Sequence, residues 1–327
     1  MTPWHHRGLL LLVATAVGCT APGAPPSGDD DDSSSPAEAL AVVVTSDYVD
    51  SVLATVDLDE DLITDSVAAF SSGDVIPWAI DGDLWLALRS EGALQRYDAA
   101  VLGSGPDLEF SVGSDSNPVA LASCGGKLFV SLYDSGRLAA YDPATGGPLG
   151  SIDLAPWAEE GGDGRSEPGS LVVDGSSLIV ALERYSFLDF APDPVARGLR
   201  IDCASLEVLE DFELPSNARI QPDPSDGADL LVHSGAYFSI DGGLHRFDLG
   251  SGGVTSTLIE EAELGADITA AAALPGHVVL STWDFEADRF GLHCLDLQDG
   301  SLASAADDLQ ASVWTLAPSP DGRVWAL

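Results

Sequence analysis

Short apolar runs that alternate with turn-forming residues recur along this chain from residue 40 onwards. The stretch GGKLFVSLYDSGRLAAYDPATGGPLGSIDL, residues 125–154, holds three such runs, separated by turns that contain Gly, Asp and Pro. Runs of this length are typical of β-strands, and the residues between them are typical of tight turns. The pattern predicts many short strands rather than long helices.

A longer pattern also repeats along the chain, and in each copy one apolar run ends with an Asp that directly follows a bulky apolar residue. It occurs six times, at intervals of 41, 44, 60, 46 and 48 residues. The six are Asp57, Asp98, Asp142, Asp202, Asp248 and Asp296. The preceding run also recurs, as DGDLWLAL from residue 81, GGKLFVSL from 125 and GSSLIVAL from 175. The chain therefore contains a repeat of about 40–50 residues with four strands in each copy.

Four antiparallel strands in so small a unit cannot bury both faces of their sheet. Radial stacking of the units buries the faces and exposes only short edges, which is the β-propeller arrangement. The elements predicted to line the axis are rich in small residues, as in ALAS at 120–123 and AAAA at 270–273. The predicted fold class is all-β, with four-stranded antiparallel propeller blades over residues 40–327.

The two ends of the repeat region leave the number of blades open. The apolar run at 40–46 matches the second element of a copy, so the first copy lacks its innermost strand. SVWTLAPSP from residue 312 and DGRVWAL from residue 321 match the first and second elements of a further copy. We predict a seven-bladed design truncated in its last blade. The alternative is a six-bladed ring in which residues 312–318 complete the first blade.

Two stretches carry a family resemblance. VVVTSDYVDSVLATVDLDED and SNPVALASCGGKLFVSLYDSGRLAAYDPATG resemble the YVTN-type repeats of bacterial β-propeller surface proteins and lipoproteins. The resemblance covers residues 40–327 and implies a propeller related in fold to quinoprotein and lactonase propellers. It implies little about function, because propellers host unrelated chemistries.

The amino terminus has the features of an export signal. Arg7 precedes an apolar run from Leu9 to Val17, which is too short to span a bilayer but fits a signal peptide. The sequence AVGC at its end resembles a bacterial lipobox, which implies lipidation of Cys19. We predict a signal peptide at 1–18 and a lipid on Cys19. The alternative is an ordinary cleaved signal in which Cys19 is incidental.

The next segment separates this anchor from the repeats. Residues 20–39 consist mainly of Pro, Gly, Ser and Ala with a block of four Asp, a composition that cannot form a core. We predict a lipid-anchored disordered linker at 19–39 and a propeller domain at 40–327. This organisation predicts a lipid-anchored protein of the cell envelope, on the outer membrane or facing the periplasm.

Charge excludes one class of partner. The chain has 53 acidic and 13 basic residues, a formal net charge of -40. Nucleic-acid binding requires Lys and Arg to neutralise phosphates, so nucleic acid is excluded as a partner. The predicted partners are a membrane, through the lipid on Cys19, and a protein or a glycan.

Three cysteines follow Cys19. Cys203 and Cys294 lie in non-adjacent copies at different positions relative to the repeat Asp, which places them too far apart to bridge. We predict that Cys124, Cys203 and Cys294 are unpaired and act as small buried apolar residues.

The histidines do not form a metal-binding pattern. His233, His245, His277 and His293 each fall in a different element, and the spacings typical of zinc sites are absent from the sequence. We predict structural histidines, no metal site and no cofactor.

The copy between Asp142 and Asp202 is the longest and contains two enlarged loops, at 155–170 and 183–198. Such loops project from a face of a propeller, and aromatic residues beside charges are typical of binding patches. The predicted binding surface consists of Trp157, Glu159, Glu160, Arg165, Glu183, Arg184, Tyr185, Phe187, Phe190 and Arg197. The alternative is an insertion whose aromatic residues cap the blade.

These features predict a lipid-anchored envelope propeller that acts as a binding or scaffolding module. The alternative is a propeller enzyme of lactonase-like or quinoprotein-like type, which would carry metal ligands or cofactor contacts around the axis. The predicted axial elements carry Asn117, Asn217 and Arg219 and are otherwise mostly Ala, Val, Ser and Leu. This composition favours binding over catalysis, and no catalytic residue is assigned.

Overall fold

The computed structural model of the protein describes residues 40–46, 49–57, 62–159, 163–186, 191–225, 227, 229–236, 238–309, 312–318 and 323–326. These residues form antiparallel sheets, two short 3-10 turns at Ala99–Ser104 and Ala155–Trp157, and one helical turn, α1 (Glu261–Leu264). No helix in these ranges has the length and apolar character needed to cross a membrane. The predicted signal peptide, Cys19 and the linker lie outside the described residues.

The first three blades follow the chain in order. Blade 1 has the strands β1 (Leu40–Ser46), β2 (Ser51–Asp57) and β3 (Leu62–Phe70). Blade 2 has β4 (Val75–Ile80), β5 (Asp83–Leu88), β6 (Ala93–Asp98) and β7 (Leu108–Ser111). Blade 3 has β8 (Pro118–Cys124), β9 (Lys127–Leu132), β10 (Arg137–Tyr141) and β11 (Pro148–Asp153).

Blade 4 carries an extra hairpin between its second and third long strands. Its strands are β12 (Pro168–Asp174), β13 (Ser177–Leu182), β16 (Val195–Asp202) and β17 (Val208–Pro215), and the hairpin pairs β14 (Tyr185–Ser186) with β15 (Ala191–Pro192). Blade 5 has β18 (Arg219–Pro222), β19 (Asp229–Ser234), β20 (Gly243–Asp248) and β21 (Gly253–Glu260). Blade 6 has β22 (Asp267–Leu274), β23 (His277–Asp284), β24 (Arg289–Asp296) and β25 (Leu302–Leu309).

Burial on both faces explains why the second strand of each copy reads as a continuous apolar run. In β13, Leu178 and Val180 pack with Phe129 of blade 3, whereas Ile179 packs on the opposite side with residues of blade 5. A strand covered on both faces needs no polar positions. The first strands β4, β8, β12 and β18 contact one another in this order around the axis. The predicted all-β propeller is confirmed.

The repeat Asp has a structural role in the turn between the third and fourth strands. Asp142 Oδ1 accepts the backbone N–H groups of Ala144 and Thr145 at 2.8 and 3.1 Å. Asp248 Oδ1 accepts those of Gly250 and Ser251 at 2.6 and 3.2 Å. A carboxylate that holds two N–H groups fixes the turn, which explains the recurrence of Asp at this position.

A two-stranded sheet of β26 (Leu316–Pro318) and β27 (Val324–Ala326) lies between blades 6 and 1. Trp325 packs against Val43 and Val56 of blade 1, and Val324 packs against Ala272 of blade 6. The strand registers of the described residues join β26 to β27 and do not join it to β1. The six blades match the six-bladed alternative, although β26 does not complete blade 1; a truncated seventh blade stays a prediction.

Among the described residues, blade 1 has three strands and no strand nearest the axis, as its sequence indicated. In blades 2, 3 and 6 the second strand contacts the first strand of the following sheet: β5 with β8, β9 with β12 and β23 with β26. The strand β1 contacts β4 in the same way. It therefore has the position of a second strand, and among the described residues its inner edge has no paired strand.

The prediction of unpaired cysteines is wrong. Cys124 and Cys203 form a disulfide across blades 3 and 4, with Cα atoms 5.8 Å apart. Cys294 is also disulfide-bonded and only half buried. Cys124 ends the first strand of one blade and Cys203 follows the third strand of the next. Face-to-face packing of adjacent blades brings these two positions together, although they are 79 residues apart in the sequence.

Candidate functional site

A cavity of about 870 Å³ lies at one end of the propeller axis. Its lining residues lie where the first strands begin or where the second strands end. They are Ile76, Arg89, Asn117, Val119, Tyr133, Asp134, Gly169, Ser170, Glu183, Tyr185, Arg219, Asp267, Ile268, Thr269 and Trp314. A smaller cavity of about 230 Å³ shares Arg219, Thr269 and Trp314 with it and extends along the first strands of blades 5 and 6.

Three consecutive blades direct a polar side chain to this cavity from the same position of the repeat. Arg89, Tyr133 and Glu183 directly follow the second strands β5, β9 and β13. Each donates its backbone N–H to the carbonyl of the residue before the first strand of its own blade, at 3.0–3.1 Å. The accepting residues are Asp74, Asn117 and Glu167. The repeat itself therefore builds the wall of the cavity.

A polar network crosses from blade 2 to blade 3. Arg89 Nε donates to Asn117 Oδ1 at 2.7 Å, and its Nη1 contacts Asp74 Oδ1 at 3.1 Å. Asn117 Nδ2 in turn donates to Asp134 Oδ1 at 3.1 Å. Arg165, from the first enlarged loop, lies 3.9 Å from Asp134. These contacts fix the positions of the side chains relative to one another.

Glu183 joins three blades. Its carboxylate accepts the Tyr133 hydroxyl at 3.0 Å and lies 3.8 Å from Arg219 Nε. Burial raises the pKa of Glu183, against the opposing effect of Arg219. Burial and the charge of Glu183 also raise the pKa of Tyr133, so that hydroxyl stays protonated. Gly169 is required beside them, because a Cβ there would lie 2.1 Å from Glu183 Oε1.

Glu167 is a buried acid whose carboxyl group has no close hydrogen-bond partner among the described residues. It is 1% exposed, and neither carboxyl oxygen makes a hydrogen bond with the described residues. Burial, followed by the charges of Asp163 and Glu183, raises its pKa to about 8. Its backbone has a φ of 44°, in the region that favours glycine. An unpartnered acid with a strained backbone is the kind of feature found at functional sites.

Two acidic side chains, Glu261 and Asp267, form a pair where blade 6 begins. Glu261 accepts the backbone N–H groups of Gly242 at 2.7 Å and Ile268 at 3.0 Å. Burial raises its pKa to about 7, despite those hydrogen bonds. Asp267 accepts the Phe238 N–H at 3.1 Å, and burial raises its pKa as well. This pair anchors the loop that follows β19 to the edge of the cavity.

The histidines have neighbours that fit a structural role. His245 contacts Ser234 at 2.9 Å and Thr257 at 3.1 Å, and His293 contacts Thr282 at 3.1 Å. Burial lowers the pKa of His233 to about 3, so its ring is neutral. Across the described ranges, no group of three or more His, Cys, Asp and Glu side chains has the arrangement of a metal site.

An aromatic patch borders the cavity. It consists of Phe238, Trp283, Phe285, Phe290 and Trp314. Trp283 is its centre, with ring centroids 5.2 Å from Phe238, 5.4 Å from Trp314 and 5.6 Å from Phe290. Phe238 is 65% exposed and Trp314 is 48% exposed. Because Trp314 also lines the cavity, the patch and the cavity form one continuous surface.

Two members of the predicted binding surface, Glu183 and Tyr185, line the cavity. Arg165 reaches its edge through Asp134. Glu160, Phe187 and Phe190 lie outside the described residues.

The remaining members do not line the cavity. Trp157 packs half-buried against the core between blades 3 and 4, and its Nε1 lies 3.3 Å from Asp211. Arg184 pairs with Asp193 at 2.8 Å. Glu159 is half-buried, and Arg197 lies 3.7 Å from Glu213. The predicted surface as a set stays a prediction.

Sequence reasoning missed most of the polar wall, including Arg89, Tyr133, Asp134, Asp267 and Trp314. One signal was present: LALR, VSLY and VALE place a polar or aromatic residue directly after the second strand in three consecutive copies. The aromatic patch had no such signal, because it joins residues from two hairpins and one connection between sheets.

Comparison with known proteins supports the fold alone. No protein-family profile matches the chain, and no curated protein matches its sequence. A putative 6-phosphogluconolactonase from Bacteroides uniformis is 12% identical with a TM-score of 0.62, and the match covers 88% of each chain. BamB from Moraxella catarrhalis is 15% identical with a TM-score of 0.52, over 89% of this chain and 82% of BamB. Dihydro-heme d1 dehydrogenase NirN is 18% identical with a TM-score of 0.55, over 95% of this chain and 62% of NirN.

Proposed function

We propose that this protein is a binding module of the cell envelope whose ligand occupies the axial cavity. The observation that carries the proposal is the wall of that cavity, where charged, amide and aromatic side chains converge on about 870 Å³. Cavities of this size with a few convergent polar groups are typical of ligand sites.

The wall is organised in advance for binding. Asn117 is held between Arg89 and Asp134, and Glu183 is held between Tyr133 and Arg219. Apart from the Asn117–Asp134 bond within blade 3, these contacts join side chains of different blades, so the rigid propeller fixes their relative positions. A preformed site loses less conformational entropy when it binds.

The location belongs to the same proposal. The signal-like amino terminus, the lipobox-like AVGC and the YVTN-type repeats support a lipid-anchored envelope protein. The anchor would hold the propeller at a membrane, on the outer membrane or facing the periplasm. The partner proposed for the cavity face is a protein or a glycan.

The anchor is tested by Cys19→Ser. The variant is expected to move from the membrane fraction to the soluble exported fraction, and mass spectrometry of the wild-type amino-terminal peptide is expected to show a lipid on Cys19. A variant that still sediments with membranes, or a wild-type Cys19 recovered in a disulfide, contradicts the anchor.

The cavity is tested by affinity capture from solubilised envelope. The double variant Tyr185→Ala, Trp314→Ala removes two lining side chains. Its control, Leu149→Ala, Leu209→Ala, removes two exposed side chains from the fourth strands of blades 3 and 4. A ligand that wild type and control capture, and that the cavity variant loses with an unchanged melting temperature, supports the proposal. Equal capture by all three contradicts it.

An enzyme of lactonase-like or quinoprotein-like type is the second candidate. It is favoured by Glu167, whose pKa of about 8 suits a general acid near neutral pH, close to Glu183. Turnover of a panel of lactones, with and without added divalent metal, that Glu167→Gln abolishes with an unchanged melting temperature would support catalysis. Absence of turnover in wild type leaves binding as the function.

A further inference from the structure

We propose that the ligand of this face is an extended segment of a partner protein that carries Lys or Arg side chains. Resting on the proposed function, this inference places the segment across the aromatic patch, with a cationic side chain reaching into the axial cavity.

The patch supplies the apolar and cation-binding part of the surface. Phe238 and Trp314 are exposed, and Trp283 lies half-buried between them. Large exposed aromatic clusters on soluble domains mark interaction sites, and aromatic residues dominate the energetics of protein interfaces. The faces of Trp rings also attract ammonium and guanidinium groups.

The segments that build the patch are acidic. Residues 235–236, 238–242, 284–289 and 312–315 contain four acidic residues and one basic residue. The basic residue, Arg289, is already paired with Asp284 at 3.0 Å. Glu286 and Asp288 are exposed beside Phe285. The rim of the patch therefore complements a positively charged partner.

The lining of the cavity beside the patch also has more acidic than basic side chains. Its two guanidinium groups are occupied, Arg89 by Asp74 and Arg219 by Glu183. Asp134 and Asp267 add two further carboxyl groups to the lining. The lining therefore holds three carboxyl groups, of Asp134, Glu183 and Asp267, against two guanidinium groups, and this excess of acidic groups favours a cation over an anion.

The shape of the surface favours a polypeptide over a small cation. The patch lies outside the cavity, and Trp314 belongs to both. A ligand that contacts the whole surface must therefore cover the exposed aromatic rings and also extend into the cavity. An extended chain does both, because its backbone can lie on the patch while a long Lys or Arg side chain extends into the cavity. The net charge of -40 also favours approach of a basic segment.

The test uses the full-length protein in detergent and three dye-labelled peptides of equal length that differ only in carrying Lys, Gln or Glu at alternate positions. Fluorescence anisotropy is expected to show binding of the Lys peptide, about tenfold weaker binding of the Gln peptide and none of the Glu peptide. Added salt is expected to weaken the Lys complex. Equal affinity for the Lys and Gln peptides overturns the inference.

Non-specific attraction to an acidic protein is separated by variants that leave the net charge unchanged. Trp314→Ala is expected to weaken Lys-peptide binding about tenfold, Trp314→Phe to restore most of it, and the exposed control Leu209→Ala to change nothing. Thermal unfolding of each variant confirms that it is folded. Lys-peptide binding that Trp314→Ala leaves unchanged overturns the inference. Binding of a neutral dextran oligosaccharide, when none of the three peptides binds, also overturns it.

Failure of this inference and failure of the proposed function give different results. If envelope capture depends on Tyr185 and Trp314 while the Lys peptide does not bind, the cavity is a binding site for another class of ligand. If capture is also independent of those residues, the proposed function itself is wrong.

Discussion

Glu167 lies at a positive φ, is buried, and has a carboxyl group without a hydrogen-bond partner among the described residues. The sequence places it in SEP, 50 residues after SNP at Ser116–Asn117–Pro118 and 50 before SNA at Ser216–Asn217–Ala218. Both Asn residues also have positive φ values, 51° and 50°. Asn tolerates that conformation better than Glu does. The repeat pattern predicts where Glu167 lies in its blade. The backbone conformation of Glu167 and the burial of its side chain could not be predicted, because they depend on the neighbouring blades.

Glu167→Gln is expected to change how stability depends on pH. The pKa of this carboxyl is about 8 in the folded protein, against a usual value of 4.5. Between these values the folded state binds more protons than the unfolded state, so the free energy of unfolding falls as pH rises. Gln cannot ionise, so the variant is expected to match wild type near pH 4.5 and exceed it increasingly up to about pH 8.

Urea unfolding across that pH range measures the effect, with the exposed Glu207→Gln as the matched control. Parallel curves for wild type and Glu167→Gln contradict the account of Glu167 as a buried, unpartnered acid.

Gly169→Ala is expected to destabilise the protein by about 2 kcal/mol, because the new Cβ would lie 2.1 Å from Glu183 Oε1 and the Glu183 carboxylate is held in place by Tyr133 and Arg219. Gly253→Ala is the control, since a Cβ there meets nothing within 4 Å. Thermal unfolding measures both. If the collision with Glu183 is the cause, Glu183→Ala removes most of the effect of Gly169→Ala; equal losses in both backgrounds contradict it.

At the scale of elements, sequence predicted what the repeat contains and missed what lies between repeats. The apolar second strand follows from burial on both faces, and the recurring Asp follows from the turn that it holds, as Asp142 shows. Contacts between blades leave no local pattern. Lys127, the only lysine, donates to the carbonyls of Cys203 and Ala204 at 2.6 and 2.9 Å, across the same blade interface as the disulfide. Neither contact could be predicted without the relative placement of blades 3 and 4.

The disulfide between Cys124 and Cys203 is expected to stabilise the propeller substantially. The two cysteines are 79 residues apart, and the lost entropy of the unfolded chain corresponds to about 4.5 kcal/mol. The double variant Cys124→Ala, Cys203→Ala is therefore expected to unfold at lower urea concentration than wild type. Lys127→Met is a useful companion, because it removes the neighbouring contact and leaves the disulfide. An unchanged urea midpoint in the double variant would show that the bond does not constrain the two blades.

At the scale of the whole molecule, the ring has six blades and a two-stranded sheet between the last and the first. Trp325 packs against Val43 and Val56, so this sheet brings the two sides of the ring together. The fold could be predicted because each copy repeats the same burial pattern. The site could be predicted only in part, because its residues come from five blades and only some of their positions, such as those directly after the second strands, recur in the repeat. Because of the acidic charge and the axial cavity, we propose that the ligand binds to the face that carries Trp314.

A ligand site on the face with Trp314 can be tested by photo-crosslinking in the intact envelope. A photoreactive phenylalanine analogue is placed at position 314, beside the cavity, or at position 209, on an exposed strand of blade 4. A ligand in the axial cavity is expected to give a discrete cross-linked product from position 314 that is absent from position 209 and is reduced by Tyr185→Ala. The same products from both positions, or none from position 314, would contradict a ligand site at the axis of the propeller.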